Sequence, residues 1–288
     1  MAGFVEMVSL STRQQIRVGM SARTPVFQVK VVDRISHDCF AFTQGLAFDG
    51  NGDLFESTGM YGESEIRRLD PDSGEILQRE ALEYRRFGEG VTISRGKILQ
   101  LTWRSGTGFV RDRHTLKELD TWEFDGDGWG ITTDASDNLL FLTDGTEIIR
   151  ILDSTTRRPI GSLVVTDGTR RIKLLNDIQF IEGELWANVW MSDVLAVIDT
   201  KTGSVNRWID LRGLLVQSSV APEVRPDVLN GLAYDPTKKR MLVTGKYWPQ
   251  MFYIEVADEP IDHLIEDIDQ SFVDLGWLRW FTKAMNIG

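Results

Sequence analysis

One short pattern occurs five times in the chain and restricts the folds that are open to it. Each copy has a small or polar residue, a short apolar strand, a polar turn and a second strand. The aligned positions Gly45, Gly90, Gly130, Asp177 and Gly231 are separated by 45, 40, 47 and 54 residues. Repeats of about 40–50 residues with several short strands each are typical of β-propeller blades. The sequence therefore predicts an all-β fold, a five-bladed β-propeller.

The predicted propeller spans residues 26–256 and is closed by its two end strands. Strand 26–35 precedes the first repeat and is expected to pair with strand 251–256. The longest repeat contains the segment 208–228, which we predict to be a loop because it holds Pro222 and Pro226.

The two ends of the chain are predicted to lie outside the propeller. Residues 1–25 form an N-terminal segment, and residues 257–288 form a short C-terminal extension that packs on the propeller. A helix is expected in this extension because its apolar residues recur at roughly helical spacing. These residues are Ile261, Leu264, Ile265, Ile268, Phe272 and Leu275.

The residues that precede the five aligned positions form a first predicted ring. The first strand of each propeller blade lines the central axis, so corresponding residues lie at one level of it. The ring consists of Gln44, Glu89, Trp129, Asn176 and Asn230. Five unlike residues indicate a built pocket, although hydrogen-bonded capping of strand ends is an alternative for each of them.

A second predicted ring follows the second strand of each repeat, at the same end of the molecule. Trp103 lies at such a strand end, and Trp190 and Lys246 directly follow two others. Tryptophan usually packs in a core, but at a strand exit beside polar groups it more often walls a pocket. We therefore expect Trp103, Trp129 and Trp190 to surround Glu89.

A single carboxylate among tryptophans suits proton transfer. Desolvation disfavours the charged form and raises the pKa of a carboxyl group toward the useful range. Glu89 is thus the candidate general acid and base, and Lys246 would pair with it or polarise a carbonyl oxygen. Asn176 and Gln44 could bind an amide or amine. No Ser-His-Asp set is apparent, so covalent catalysis is unsupported.

Charge and composition argue against several classes of partner. The net charge of -11 repels nucleic-acid phosphates and anionic membranes, so we expect neither as a partner. Cys39 is the single cysteine and the three histidines are scattered, which disfavours a zinc site. No apolar stretch approaches the roughly 20 residues of a membrane span. The first 20 residues hold no apolar region long enough for a secretory signal.

A metal ion on the axis is an alternative use of the first ring. Glu89, Asn176, Asp177 and Asn230 offer the oxygen ligands that calcium prefers. The neighbouring tryptophans argue against such a site. We predict that no metal or cofactor is required, and a structural calcium or other ion on the axis stays open.

Taken together, these motifs resemble the plant-type glutaminyl cyclases, also called glutamine cyclotransferases. The resemblance runs from Phe42 to Val256 in the order of the family. It rests on the stretches "FTQGL", "LFESTGMYG", "FGEG", "LTWR", "DGWG", "TDGT", "NDIQFIEGELWANVW" and "LNGLAYD…LVTGKYWP".

The resemblance implies a five-bladed propeller that converts the N-terminal glutamine of peptides or proteins to pyroglutamate and releases ammonia. By analogy, Glu89 takes a proton from the amine and delivers one to the leaving nitrogen. The implied pocket walls are Phe42, Trp103, Trp129 and Trp190, and the implied substrate-binding residues are Gln44, Asn176 and Lys246.

Two departures from the family qualify this resemblance. Gly88 stands where some relatives carry a bulkier residue, which predicts a wider pocket, and the tail from Ala257 extends past the last motif. A calcium-dependent propeller lactone hydrolase and a non-catalytic binding propeller remain as alternatives. We expect a monomer.

Overall fold

The computed structural model describes residues 24–215 and 225–261, which consist of β-strands, turns and loops and contain no α-helix. Strand β1 (Val26–Ser36) opens this part of the chain. The next twelve strands form three separate four-stranded antiparallel sheets. These are β2 (Thr43–Phe48), β3 (Leu54–Thr58), β4 (Glu65–Leu69) and β5 (Ile76–Ala81); β6 (Gly88–Ser94), β7 (Lys97–Thr102), β8 (Thr107–Asp112) and β9 (Glu118–Glu123); and β10 (Ile131–Thr133), β11 (Leu139–Leu142), β12 (Ile148–Asp153) and β13 (Pro159–Val164).

The remaining strands form a short hairpin and an eight-stranded sheet. The hairpin consists of β14 (Thr166–Asp167) and β15 (Arg170–Arg171). The large sheet has the order β16-β17-β18-β19-β1-β22-β21-β20. Its members after β1 are β16 (Leu175–Ile181), β17 (Glu184–Val189), β18 (Val194–Asp199), β19 (Val205–Asp210), β20 (Leu229–Asp235), β21 (Arg240–Gly245) and β22 (Gln250–Val256).

Strand β1 joins the two halves of the eight-stranded sheet. It runs antiparallel to β22, from Val29 opposite Val256 to Ser36 opposite Gln250. Its first residues pair in parallel with β19, where Val26 lies opposite Trp208. The first strand therefore pairs with the last strand, as the sequence predicted.

The strands β2, β6, β10, β16 and β20 contact one another in a closed order. Glycine permits this close approach: a Cβ atom on Gly45 would lie 2.8 Å from the Val91 nitrogen, and one on Gly90 2.6 Å from the Trp129 oxygen. Real Cβ atoms do not come so near to backbone atoms, so these positions tolerate no side chain. The glycine after Glu89 is thus required by strand packing, which explains part of the repeated pattern.

Apolar side chains fill the spaces between neighbouring sheets. One cluster joins β2, β3 and β4 to β6 and β7, and includes Phe55 and Val91. Another joins β11–β13 to β16–β18, with Phe141 and Ile178 among its members. Sheets of four antiparallel strands packed face to face in this way are the architecture expected of a propeller. Within the described residues, no helix has the length and apolarity needed to cross a membrane.

Three expectations about secondary structure need correction. The strands β5, β9 and β13 were missed, because they are largely exposed and lack an apolar pattern, as in Glu118–Glu123. The segment 208–228 is not entirely a loop, since its first residues complete β19. In the C-terminal extension, residues 257–261 are not helical. Ile261 instead pairs with Val26, and the rest of the extension lies outside the described residues, as does nearly all of the segment 1–25.

Candidate active site

Seven of the eight predicted site residues line one pocket. The pocket has a volume of about 330 Å³, counted with the space open to solvent at its mouth, and lies at the end of the molecule where the inner strands begin. Four sheets contribute to it, so the pocket depends on the closed arrangement of the inner strands. Its lining consists of Gln44, Glu89, Trp103, Trp129, Asn176, Trp190 and Lys246.

Glu89 lies near the start of β6 with only 3% of its surface exposed. Its Oε1 accepts a hydrogen bond of 2.8 Å from Nε2 of Gln44. Burial raises the pKa of the Glu89 carboxyl well above its ordinary value of 4.5. The charge of Lys246 acts against this rise, and the carboxyl groups of Asp127 and Asp177 add to it. A carboxyl group in such surroundings can both accept and return a proton.

Lys246 brings a buried amine to the same pocket. Its Nζ lies 4.5 Å from the centroid of the Phe42 ring. Burial lowers its pKa to about 8, while the charges of Glu89 and Asp227 favour the ammonium form. The backbone of Lys246 is fixed to the loop before β20, because its nitrogen donates to the Val228 oxygen over 2.9 Å.

Aromatic side chains form the walls. Trp129 and Trp190 meet edge to face with 5.7 Å between ring centroids. Phe42 does not line the pocket but lies behind it, edge to face with Phe87 at 6.0 Å. Phe87 in turn packs on Trp103 with a centroid distance of 5.6 Å. Phe42 thus supports the wall and lies against Lys246, a different place from the one predicted.

One buried polar atom in the lining, the acceptor Oδ1 of Asn176, has no hydrogen-bond partner among the described residues. The side chain of Trp129 is directed toward the Asp127 carboxyl; burial raises the pKa of Asp127, and the hydrogen bond from Trp129 acts against this rise. Unpaired buried polar groups are costly and therefore rare in folded proteins. An unpaired acceptor on a residue that lines the pocket is suited to an N–H group of an amide or amine substrate.

Among the ligands proposed for an axial metal ion, Asp177 is already engaged in hydrogen bonds, whereas the Oδ1 atoms of Asn176 and Asn230 are buried without a partner among the described residues. Both carboxylate oxygens of Asp177 accept backbone N–H groups, from Ile178 on one and from Leu232 and Leu46 on the other. Asn230 directs its amide nitrogen at backbone oxygens. In the ranges 24–215 and 225–261, no three His, Cys, Asp or Glu side chains could together hold a metal ion. Burial raises the pKa of Asp177 to about 8, and the three backbone hydrogen bonds oppose this rise.

Sequence reasoning missed several residues around the pocket. Phe87 belongs to the "FGEG" motif and could have been found there. Asp127 was not among the predicted site residues, yet its charge acts on Glu89. Burial raises the pKa of Asp127 itself, and the charge of Arg104 acts against that rise. The guanidinium of Arg104 stacks on the Trp103 ring, with 3.9 Å between its central carbon and the ring centroid.

Gly88 does not widen the pocket as predicted. A Cβ atom on Gly88 would lie 2.5 Å from the Thr58 backbone oxygen and would not enter the pocket.

A buried ionic network supports the two loops that carry Phe42 and Lys246. Glu56 is fully buried and contacts Nε2 of His37 at 2.8 Å. Thr43 also donates to Glu56, and Arg67 lies 3.5 Å from its other oxygen. The second ring nitrogen of His37 contacts the Trp248 oxygen at 2.7 Å. The network therefore connects the start of β2 with the loop that follows β21.

Comparison with known proteins agrees with these features. The glutamine cyclotransferase family model matches residues 3–256. The chain belongs to the glutamine cyclotransferase family. It is 39% identical over 234 residues to a glutaminyl-peptide cyclotransferase of Arabidopsis thaliana, covering 80% of this chain and 71% of the relative.

A solved structure of the same kind is also similar. The glutaminyl cyclase of Myxococcus xanthus superposes with a TM-score of 0.74 at 28% identity. The match covers 83% of this chain and 100% of the bacterial one. The resemblance that the sequence motifs predicted is thereby confirmed. The family match includes every residue that lines the pocket.

Proposed function

We propose that this protein is a glutaminyl-peptide cyclotransferase, an aminoacyltransferase that converts N-terminal glutamine to pyroglutamate with release of ammonia. The observation that carries the proposal is the buried Glu89 carboxyl among three tryptophans in a member of this family. The name of the Arabidopsis relative supports the same activity.

The proposed reaction forms one C–N bond and breaks another within the same residue. The substrate's α-amine attacks its γ-carbonyl carbon, and the amide nitrogen leaves as ammonia. Because both partners belong to one residue, the enzyme has to hold the folded conformer and move protons. The narrow aromatic walls of Trp103, Trp129 and Trp190 favour a compact bound side chain.

Glu89 is the proposed proton carrier. It removes a proton from the attacking amine and gives one to the departing nitrogen, so it ends the cycle in its starting form. Its raised pKa brings its proton affinity nearer to that of the groups it serves. The buried ammonium of Lys246 would stabilise negative charge that develops on the carbonyl oxygen.

Asn176 is proposed to hold the substrate amide. Its unpaired Oδ1 would accept the N–H group of that amide. We further propose that the scaffold is a five-bladed propeller, which the closed contact order of five inner strands supports. We also propose that the protein acts as a monomer and requires no metal.

The test is incubation of the purified protein with a glutamine-initiated dipeptide. Released ammonia is measured by a coupled assay and pyroglutamate by mass spectrometry. Both products should form in equal amounts, and the Glu89→Gln variant should form neither above background. A wild-type protein that forms no pyroglutamate would refute the proposal.

A further inference from the structure

Asn230 belongs to the first predicted ring but does not line the pocket. It lies in β20, fully buried, beside the residues that begin β2. Its Nδ2 is 3.1 Å from the Thr43 backbone oxygen and 3.2 Å from that of Gln44. Backbone oxygens only accept hydrogen bonds, so they fix the Asn230 amide with its NH₂ group toward them.

This orientation of the Asn230 amide is favoured although it leaves the amide oxygen without a hydrogen bond. Oδ1 of Asn230 is buried and has no partner within the described residues. Turning the amide over would place that oxygen against the oxygens of Thr43 and Gln44. Such an arrangement would lose both hydrogen bonds and bring like partial charges together, which costs more than one unpaired acceptor.

The fixed amide of Asn230 then orients the side chain of Gln44. Nδ2 of Asn230 also lies 3.4 Å from Oε1 of Gln44, the longest of its three contacts. With Oε1 on that side, the Gln44 NH₂ group faces Glu89 and donates to its Oε1 over 2.8 Å. A flipped Gln44 would set its oxygen against the carboxylate and its NH₂ group against the donor of Asn230.

We propose that Asn230 is a positioning residue that fixes the Gln44 amide so that its N–H group, and not its oxygen, faces Glu89. The inference rests on the proposed function, in which Glu89 carries the proton. The N–H group of Gln44 on Oε1 of Glu89 stabilises the Glu89 carboxylate and leaves its Oε2 to the substrate. Asn230 would thus keep Glu89 ready to act as a base without touching the substrate.

The charged groups that face Glu89 have to be distinguished from this effect. Lys246 favours the carboxylate from the loop after β21, whereas Asp127 and Asp177 disfavour it from the turn before β10 and from β16. None of these three contacts Asn230 in the hydrogen-bond network that fixes Gln44. The side chain of Asn230 therefore reaches Glu89 through Gln44, and a double-mutant cycle separates this route from an effect through Leu232 and Asp177.

The experiment combines Asn230→Ala with Gln44→Met in a double-mutant cycle. The readouts are the pH profile of kcat/KM and the NMR titration of the isotopically labelled Glu89 carboxyl carbon, assigned with Glu89→Gln. We expect Asn230→Ala to move the acidic limb to higher pH, with roughly tenfold lower kcat/KM on that limb, and the Glu89 titration to move with it. In the Gln44→Met background, Asn230→Ala should add nothing.

The matched control is Asn188→Ala. Asn188 is also buried and accepts from the Gly231 nitrogen, next to Asn230, without contacting Gln44. It should leave the acidic limb in place. If Asn230→Ala does not fold, Asn230→Ser takes its place in the cycle.

An unchanged Glu89 titration in the folded Asn230 variant would overturn the inference. So would a shift of full size in the Gln44→Met background. A wild-type protein that does not cyclise glutamine would refute the proposed function instead, while the NMR titration would still test the positioning role.

Discussion

The ammonium nitrogen of Lys246 lies 4.5 Å from the centroid of the Phe42 ring, inside the pocket that holds the Glu89 carboxyl. Burial lowers the pKa of Lys246 to about 8. If the ammonium form is needed, kcat/KM should fall as the pH rises through about 8. The value of kcat/KM should also fall on the acidic side, where Glu89 becomes protonated. This fall should begin above pH 4.5, because the pKa of Glu89 is raised well above that ordinary value.

Lys246→Arg tests the assignment of the basic limb. The arginine side chain stays protonated throughout the accessible pH range. The variant should be slower, because the guanidinium is larger, but its kcat/KM should no longer fall near pH 8. A basic limb that stays in place in the arginine variant would assign it to another group.

Glu89→Gln should abolish turnover and preserve the fold. Glutamine has nearly the same shape and can still contact Gln44, but it cannot carry a proton. We expect kcat to fall by about 10²–10⁴-fold, the usual contribution of a general acid and base. Circular dichroism and the thermal midpoint serve as folding controls, and near-wild-type turnover in a folded variant would reject the role of Glu89.

Glu56→Gln should destabilise the protein by about 3 kcal/mol, because it removes the buried carboxylate that His37, Thr43 and Arg67 contact. Burial alone would raise the pKa of Glu56. The contacts with His37, Arg67 and Thr43 lower this pKa by more than burial raises it, so the net shift is downward. A lowered pKa in the folded state stabilises the protein at neutral pH, and this stabilisation is lost as the pH falls below about 4.5.

Urea unfolding of Glu56→Gln measures this effect at several pH values. The difference from the wild type should be largest near neutral pH and should shrink in acid. Glu65→Gln is the control, since Glu65 pairs with the same Arg67 at 2.7 Å but is partly exposed. Equal losses for the two variants would show that burial does not govern the contribution.

Excess chelator should leave kcat unchanged, because the oxygens of Asp177 already bind backbone N–H groups and the proposed chemistry needs no Lewis acid. The measurement compares turnover before and after chelator, with thermal unfolding as the control. Activity that is lost with chelator and restored by calcium without a change in folding would favour the lactone hydrolase.

The sequence predicted the inner strands and the pocket because both follow from a repeat. Once Gly45, Gly90 and Gly130 are aligned, the neighbouring Gln44, Glu89 and Trp129 have to lie on one ring. The outer strands could not be found in this way, since exposed strands carry no apolar alternation. The outer strands β5, β9 and β13 are recognised only from their backbone pairing in the structure.

The support of the pocket was equally hidden, because it depends on contacts between distant repeats. Nothing in the sequence places His37 beside Glu56 or links Asn230 to Gln44. Phe42 shows the same limit: its motif was recognised, but its position behind the pocket depends on how Phe87 packs against it.

The most direct measurement of the central claim compares kcat/KM for two dipeptides that differ only in an N-terminal Gln or Glu. With Glu, the side chain is an anion with a poorly electrophilic carbonyl, and its burial near Glu89 adds desolvation and repulsion. At about pH 8, we predict at least about 10²-fold faster reaction of the Gln peptide, and any Glu reaction should rise only toward acid pH. Comparable rates for the two peptides at this pH would contradict proton transfer through Glu89 to a leaving amide.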